Sequence, residues 1–229
     1  MKIKLVILFF LAVLINQSYS QTLKGILTET PLKGIGDETN LSKKAAKPMT
    51  FSYVFSEKKS IQNLISIEKS AIDTTYIEKY GKKYETTSSV SRPTSLAYYK
   101  DLETKKYKVV ATQEAKDVNI IEKLTKFDWR LINESKTING YKCKKATTTN
   151  TAYNSNQSIV AWFTEAIPVN DGPAQYHGLP GFIIQIEIND NTTLTFDKLV
   201  FSKENTAIAE PNNSAPELSF SDYSKQSAK

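Results

Sequence analysis

Apolar and polar positions alternate with a period of two along most of the chain. Phe51, Tyr53 and Phe55 alternate with Ser52, Val54 and Ser56, and Tyr107, Val109 and Ala111 form a second such run. Phe127, Trp129 and Leu131 alternate with Asp128 and Arg130, and Tyr141 and Cys143 with Lys142 and Lys144. Ile184, Ile186 and Ile188 alternate with Gln185 and Glu187. A strand points successive side chains to opposite faces, so each run predicts a strand with one buried and one wet face. The runs are rich in Tyr, Phe, Ile and Thr, which suit a pleated surface.

Turn signals separate the runs. Asn189-Asp190-Asn191 divides the isoleucine strand from Thr192 to Phe201 and predicts a hairpin. Asn139-Gly140 precedes the Tyr141 strand, and Lys79-Tyr80-Gly81-Lys82 divides two further runs. Helical spacing is scarce. Ile61, Leu64, Ile65 and Glu68 fit a short helix or a strand, and Asp117 to Leu124 is equally ambiguous. Consecutive strands with short turns predict a mainly β (β-rich α+β) fold, a curved antiparallel sheet or half-open barrel with minor helix. Gly34 to Lys47 reads as weakly ordered, and residues 205–229, rich in Ser, Asn, Pro and Ala, read as a flexible tail.

The first twenty residues break the alternation. Lys2 and Lys4 are followed by an apolar run of 11 residues, Leu5 to Ile15, and then by Asn16-Gln17-Ser18-Tyr19-Ser20. This is the pattern of a cleavable secretory signal, with the cut before Gln21. The apolar run is too short for a membrane span, which needs about 20 residues. The expected organisation is a signal peptide over residues 1–20, one β-rich domain over 21–204 and the tail over 205–229. The expected destination is the periplasm or the medium, and no later stretch is apolar enough to span a membrane.

Charge and composition then remove several functions. The formal net charge of +6 falls to +4 once Lys2 and Lys4 leave with the signal. The excess is spread along the chain and is no nucleic-acid footprint; the lysines read as solvated strand faces. Cys143 is the only cysteine and His177 the only histidine, so neither an intrachain disulfide nor a four-ligand zinc site can form. No cofactor or metal site is expected. Gly178-Leu179-Pro180-Gly181 lacks the lysine and helix of a phosphate-binding loop.

The stretch from Ala161 to Ile188 is the most distinctive. A strand, Ile159 to Thr164, leads into a long loop that closes with His177-Gly178-Leu179-Pro180-Gly181-Phe182. Pro180-Gly181 predicts a type II turn, and loops of this length often carry function.

Here the chain resembles a known family. Gly178-Leu179-Pro180-Gly181-Phe182-Ile183 is similar to the hexapeptide of the GLPGLI family, the Porphyromonas-type exported bacterial proteins. Trp129-Arg130-Leu131 with Glu134, Asn139-Gly140-Tyr141-Lys142-Cys143 with Ala146, Trp162 to Pro168 and Gly172-Pro173 extend the resemblance from about Thr50 to Phe201. Phe182 replaces the family's leucine, and His177 stands where a small residue is expected. The resemblance implies a periplasmic or secreted protein and carries no reaction with it. The succession of strands also resembles the half-open barrels of periplasmic lipoprotein carriers.

These readings converge on a non-catalytic binding module for an apolar ligand or an envelope protein partner. Its candidate site is Trp129, Tyr141, Cys143, Trp162, Phe163, His177, Gly178, Leu179, Pro180 and Gly181. Two alternatives stand beside it. In the first, Cys143 is a nucleophile and His177 its base, oriented by Asp171 or Asn170, which requires contact within about 3 Å. In the second, Cys143, His177 and Met49 hold a soft metal such as Cu(I). A core role for the aromatics and for the lone thiol is the competing structural explanation.

Overall fold

A computed structural model describes residues 22–31, 47–66, 71–151 and 156–227. The proposed export signal, Glu68 and nearly all of the segment from Gly34 to Lys47 lie outside the described residues.

Among the described residues thirteen strands carry the fold: β1 (Thr22–Pro31), β2 (Met49–Ser56), β3 (Lys59–Leu64), β4 (Ala71–Lys79), β5 (Lys82–Val90), β6 (Pro93–Asp101), β7 (Lys106–Gln113), β8 (Lys116–Lys123), β9 (Arg130–Ile138), β10 (Tyr141–Asn150), β11 (Gln157–Thr164), β12 (Phe182–Ile188) and β13 (Thr192–Ser202). Eleven form one antiparallel sheet in the order β8-β7-β6-β3-β2-β1-β13-β12-β11-β10-β9. The other two, β4 and β5, make a separate hairpin between β3 and β6. The β-rich reading is therefore correct; of the two ambiguous runs, the one from Ile61 is strand as far as Leu64 and the one from Asp117 to Leu124 is strand as far as Lys123.

The hairpin turns need positive φ at both central residues to match the strand twist. Asn139-Gly140 obeys the familiar composition and Tyr80-Gly81 keeps only its glycine, whereas Glu57-Lys58 and Glu114-Ala115 adopt the same geometry with ordinary side chains. The sequence gives no local sign of the latter two.

The sheet is open but strongly curled. Strands β8 and β9 are consecutive in sequence yet occupy opposite edges. A flat sheet of this width would separate its edges by about 48 Å at ~4.8 Å per strand. The connection from Lys123 to Arg130 reaches about 24 Å fully extended. The edges must therefore approach, and the inner face becomes a bowl. Its lining is the core: Leu23, Leu27, Phe51, Tyr53, Phe163, Phe182, Ile183 and Phe196 are all essentially inaccessible to solvent. Tyr53 meets Phe196 edge-on at 4.9 Å and Phe182 at 5.7 Å.

The two edges are managed differently. Strand β9 carries a bulge where its register with β10 shifts, which blunts it for further pairing. Strand β8 is covered by the C-terminal segment: Leu218 exchanges backbone bonds with Asn119 and Ile121, and the Asn213 amide donates to the carbonyls of Ala111 and Val118. Lys108, buried at the side-chain level, pairs with Glu217 at 2.6 Å and Glu210 at 3.3 Å from the same segment. Helix α1 (Phe220–Ser227) follows, with Ser219 capping its first turn through the backbone N–H of Asp222. The segment of residues 205–227, expected as part of a flexible tail, makes these contacts and forms the helix. Its polar composition serves sheet-edge hydrogen bonding and ion pairs to the buried Lys108, which leave no apolar periodicity to detect.

Candidate binding site

The loop of residues 165–181 folds back into the bowl and fills it. Ile167, Tyr176 and Leu179 join the buried core. Gly172 lies so close to Ile183 that an added Cβ would sit 2.7 Å from the Ile183 Cβ. Gly181 has φ of 143°, and a Cβ there would fall 2.2 Å from the Thr164 carbonyl oxygen. The expected type II turn is not the one formed. Gly181 N–H donates to the Leu179 carbonyl at 2.8 Å, a three-residue turn centred on Pro180, and its φ lies far from the roughly +80° of a type II turn.

Polar groups fasten the loop to three strands of the bowl. Asp171, fully buried, accepts from the Tyr53 hydroxyl at 2.7 Å and pairs with the Lys100 ammonium at 2.5 Å. Lys100 also donates to the carbonyls of Gly172 at 2.6 Å and Tyr176 at 3.2 Å. The Gln62 side-chain oxygen accepts from Ala174 N–H at 2.9 Å. Burial lowers the Lys100 pKa, opposed by Asp171, and raises that of Tyr53, reinforced by Asp171. No sequence signal set Lys100 apart from the solvated lysines; only its placement beneath the loop does so.

At the seam where β8 crosses to β9, the loop meets residues 127–131. The Trp129 indole N–H donates to the His177 carbonyl at 2.8 Å. Phe127 stacks obliquely with Trp129 at 5.6 Å and with Tyr176 at 5.3 Å, and the His177 ring stands edge-on to it at 6.0 Å. These contacts frame an open pocket of about 420 Å³ lined by Phe127, Asp128, Trp129, Arg130, Leu131, Gly178, Leu179 and Pro180. Leu131 is 60% exposed at its rim. A second pocket, about 570 Å³, opens on the other flank of the loop beside Phe55, Leu102 and Pro168. The first gathers Trp129, Gly178, Leu179 and Pro180 of the candidate binding site, and the second gathers none of that set.

Trp129, Gly178, Leu179 and Pro180 are thus together, with His177 behind them. The other candidates are elsewhere. Cys143 and Phe163 are wholly buried core residues, and Tyr141 packs against that core. Gly181 is buried against Thr164. Trp162 lies under two lysines, with the Lys136 Nζ 4.1 Å and the Lys145 Nζ 5.6 Å from its ring centre, and donates to Glu187 at 3.0 Å. Among the described residues the chain's own loop occupies the space that an interior aromatic cavity would need.

Cys143 and His177 each face a backbone carbonyl. Cys143 Sγ donates to the Tyr141 carbonyl at 3.4 Å, and burial pushes its pKa up to about 11. The His177 Nδ1 faces the Gln175 carbonyl at 3.1 Å, and burial, aided by Lys100, lowers its pKa. Asp171 is committed to Lys100 and Tyr53 rather than to His177. Among the described residues no group of three His, Cys, Asp or Glu is placed to hold a metal.

The pattern of the family described as N-glycanase peptide, N-terminal domain, matches residues 54–222. The chain belongs to this family. Two crystal forms of PNGF-II superpose on it, each with a TM-score of 0.53. The C2 form is 13% identical and covers 92% of this chain; the P21 form is 12% identical and covers 90%. The chain spans 33% of the length of both, so the likeness concerns one domain of a larger protein and establishes the fold alone. An outer membrane lipoprotein-sorting protein domain from Vibrio parahaemolyticus aligns at 9% identity with a TM-score of 0.28, too low to support the lipoprotein-carrier analogy. No curated protein matches.

Proposed function

We propose that this chain is an exported, non-catalytic binding domain of the bacterial cell envelope, and that it binds an extended segment of an envelope protein partner at the seam pocket. One observation carries the reading. The interior is filled, yet at the seam Trp129 is half-buried and Leu131 and Pro180 are exposed beside Asp128 and Arg130. An apolar floor with a charged rim is the usual anatomy of a protein-recognition site. Export rests on the signal-like first twenty residues and on the GLPGLI resemblance. The absence of any long apolar helix among the described residues is compatible with it.

Site-specific photo-cross-linking in the producing cell tests this reading. A benzophenone side chain at Leu131 should give a discrete adduct in the envelope fraction, and the adduct should weaken at least tenfold with Trp129→Ala. The same probe at exposed Val200 should give none. Adducts of equal yield at both positions, or none at Leu131, would remove the pocket as a partner site. A small apolar molecule seen by native mass spectrometry of the purified chain, displaced by Trp129→Ala, would replace the protein partner with a ligand.

A further inference from the structure

The hairpin of β4 and β5 belongs to neither the bowl nor the seam. Its strands pair only with each other in sheet topology, and every residue from Tyr76 to Thr87 is exposed. Tyr76, Ile77, Tyr80 and Tyr84 are 59%, 52%, 92% and 46% exposed. Four large side chains in so short an arm are not needed to fold the domain, whose core is complete without them.

Register sorts the arm into two faces. Ile77 pairs with Tyr84, and Lys79 with Lys82, so these four share one face. Tyr76, Glu78, Lys83 and Glu85 fall on the other, where Lys83 Nζ lies 5.0 Å from the centre of the Tyr76 ring. Register puts the nearest carboxylate of the first face at Asp73, six positions along the strand from Lys79. Its two lysines sit directly opposite one another, an arrangement that destabilises a hairpin unless an anion lies between them. Tyr80 occupies the first turn position with φ of 55°, where Asn or Gly is favoured. Its ring is the most exposed of the four large side chains and stands at the tip of the arm.

We infer that this arm docks the domain onto an anionic phospholipid bilayer surface. Tyrosine belongs at the headgroup level of a bilayer, lysine stems lie along the apolar boundary while their ammonium groups reach phosphate, and Ile77 enters just below. An acidic protein would satisfy Lys79 and Lys82 but would leave Ile77, Tyr80 and Tyr84 without an apolar partner. The inference is independent of the seam pocket.

The test uses residues 21–229 and large unilamellar vesicles of phosphatidylcholine with or without one-third phosphatidylglycerol. The chain should pellet with the anionic vesicles and stay in solution with pure phosphatidylcholine. Each lysine near such a surface strengthens binding roughly fivefold, so Lys79→Gln with Lys82→Gln should weaken partitioning about 25-fold. Tyr80→Trp should show a blue-shifted arm fluorescence on the anionic vesicles, measured against the unmodified chain. Pelleting unchanged by the lysine pair would overturn the inference, because general basicity would then explain it. Displacement of the chain by soluble polyglutamate with no fluorescence shift would identify an acidic protein as the occupant instead. A concentration-dependent dimer in sedimentation velocity, lost on Ile77→Ser with Tyr84→Ser, would assign the face to a second copy of this chain. Circular dichroism should be unchanged in all variants, since the arm lies outside the core.

Discussion

The Lys100 ammonium and the Asp171 carboxylate, from strand β6 and the long loop, lie 2.5 Å apart with side-chain exposures of 3% and 0%. This pair, with the Tyr53 hydroxyl, fixes the loop inside the bowl. Removing one member leaves a charge buried without its partner, a loss of about 3–5 kcal/mol. Lys100→Met should lower stability by that amount in urea denaturation. Lys100→Met with Asp171→Leu should recover much of the loss, because no buried charge then remains. Equal losses for the single and double variants would show that the loop does not depend on the pair.

Glycines of the loop and of the hairpins should respond unequally to alanine. Nothing lies within 4 Å of a Cβ at Gly140, so only its φ of 85° matters, and the cost should be about 1 kcal/mol. At Gly181 a Cβ would collide with the Thr164 backbone as well, and the cost should be about 3 kcal/mol or more. Thermal denaturation of Gly140→Ala and Gly181→Ala checks the order; a reversed order would contradict the loop geometry.

Cys143 should behave as a core side chain. In the native protein it should resist a thiol reagent such as Ellman's for hours at pH 8, and react at once in guanidinium. Cys143→Ala should cost roughly 1 kcal/mol and leave any partner cross-link at Leu131 intact. Rapid native labelling would reopen the nucleophile hypothesis.

His177 gives the pH dependence a sign. Burial, aided by Lys100, lowers its pKa from 6.5 in the folded state. Below about pH 6.5 the unfolded chain then binds the proton more readily than the folded one, so this group contributes stability that declines as pH falls through that range. The melting temperature should therefore drop less between pH 7.5 and pH 5.5 in His177→Gln than in the unmodified chain. An equal drop would remove His177 from the acid sensitivity of the loop.

The alternation of apolar and polar residues was enough to locate the sheet. Strands around Phe51, Tyr107, Tyr141 and Ile184 appear where the period-two runs predict them, because one wet face leaves a strict local mark. Trp129 and the Gly178-Pro180 stretch were also legible, since Trp, Gly and Pro are conspicuous and sit close to the loop they shape. The site's other half was not. Phe127 reads as a strand residue but precedes β9, and nothing near Lys100 marks it as buried. The buried ion pair forms between Lys100 and Asp171, 71 positions apart, and local sequence carries no record of that meeting.

The sequence by itself determined the period of the backbone and hence a β-rich antiparallel domain. It also determined the limits set by one cysteine and one histidine, because these follow from neighbouring residues and from residue counts. Only the tertiary structure decided that the sheet curls far enough for β8 and β9 to be joined by a short connection, and that the long loop fills the resulting bowl. It also decided that the polar C-terminal segment covers an edge and that the aromatic arm stands apart. Each of these outcomes depends on closing the sheet and on contacts between residues distant in the chain. Those contacts fix which aromatic rings become core and which remain free to meet a partner.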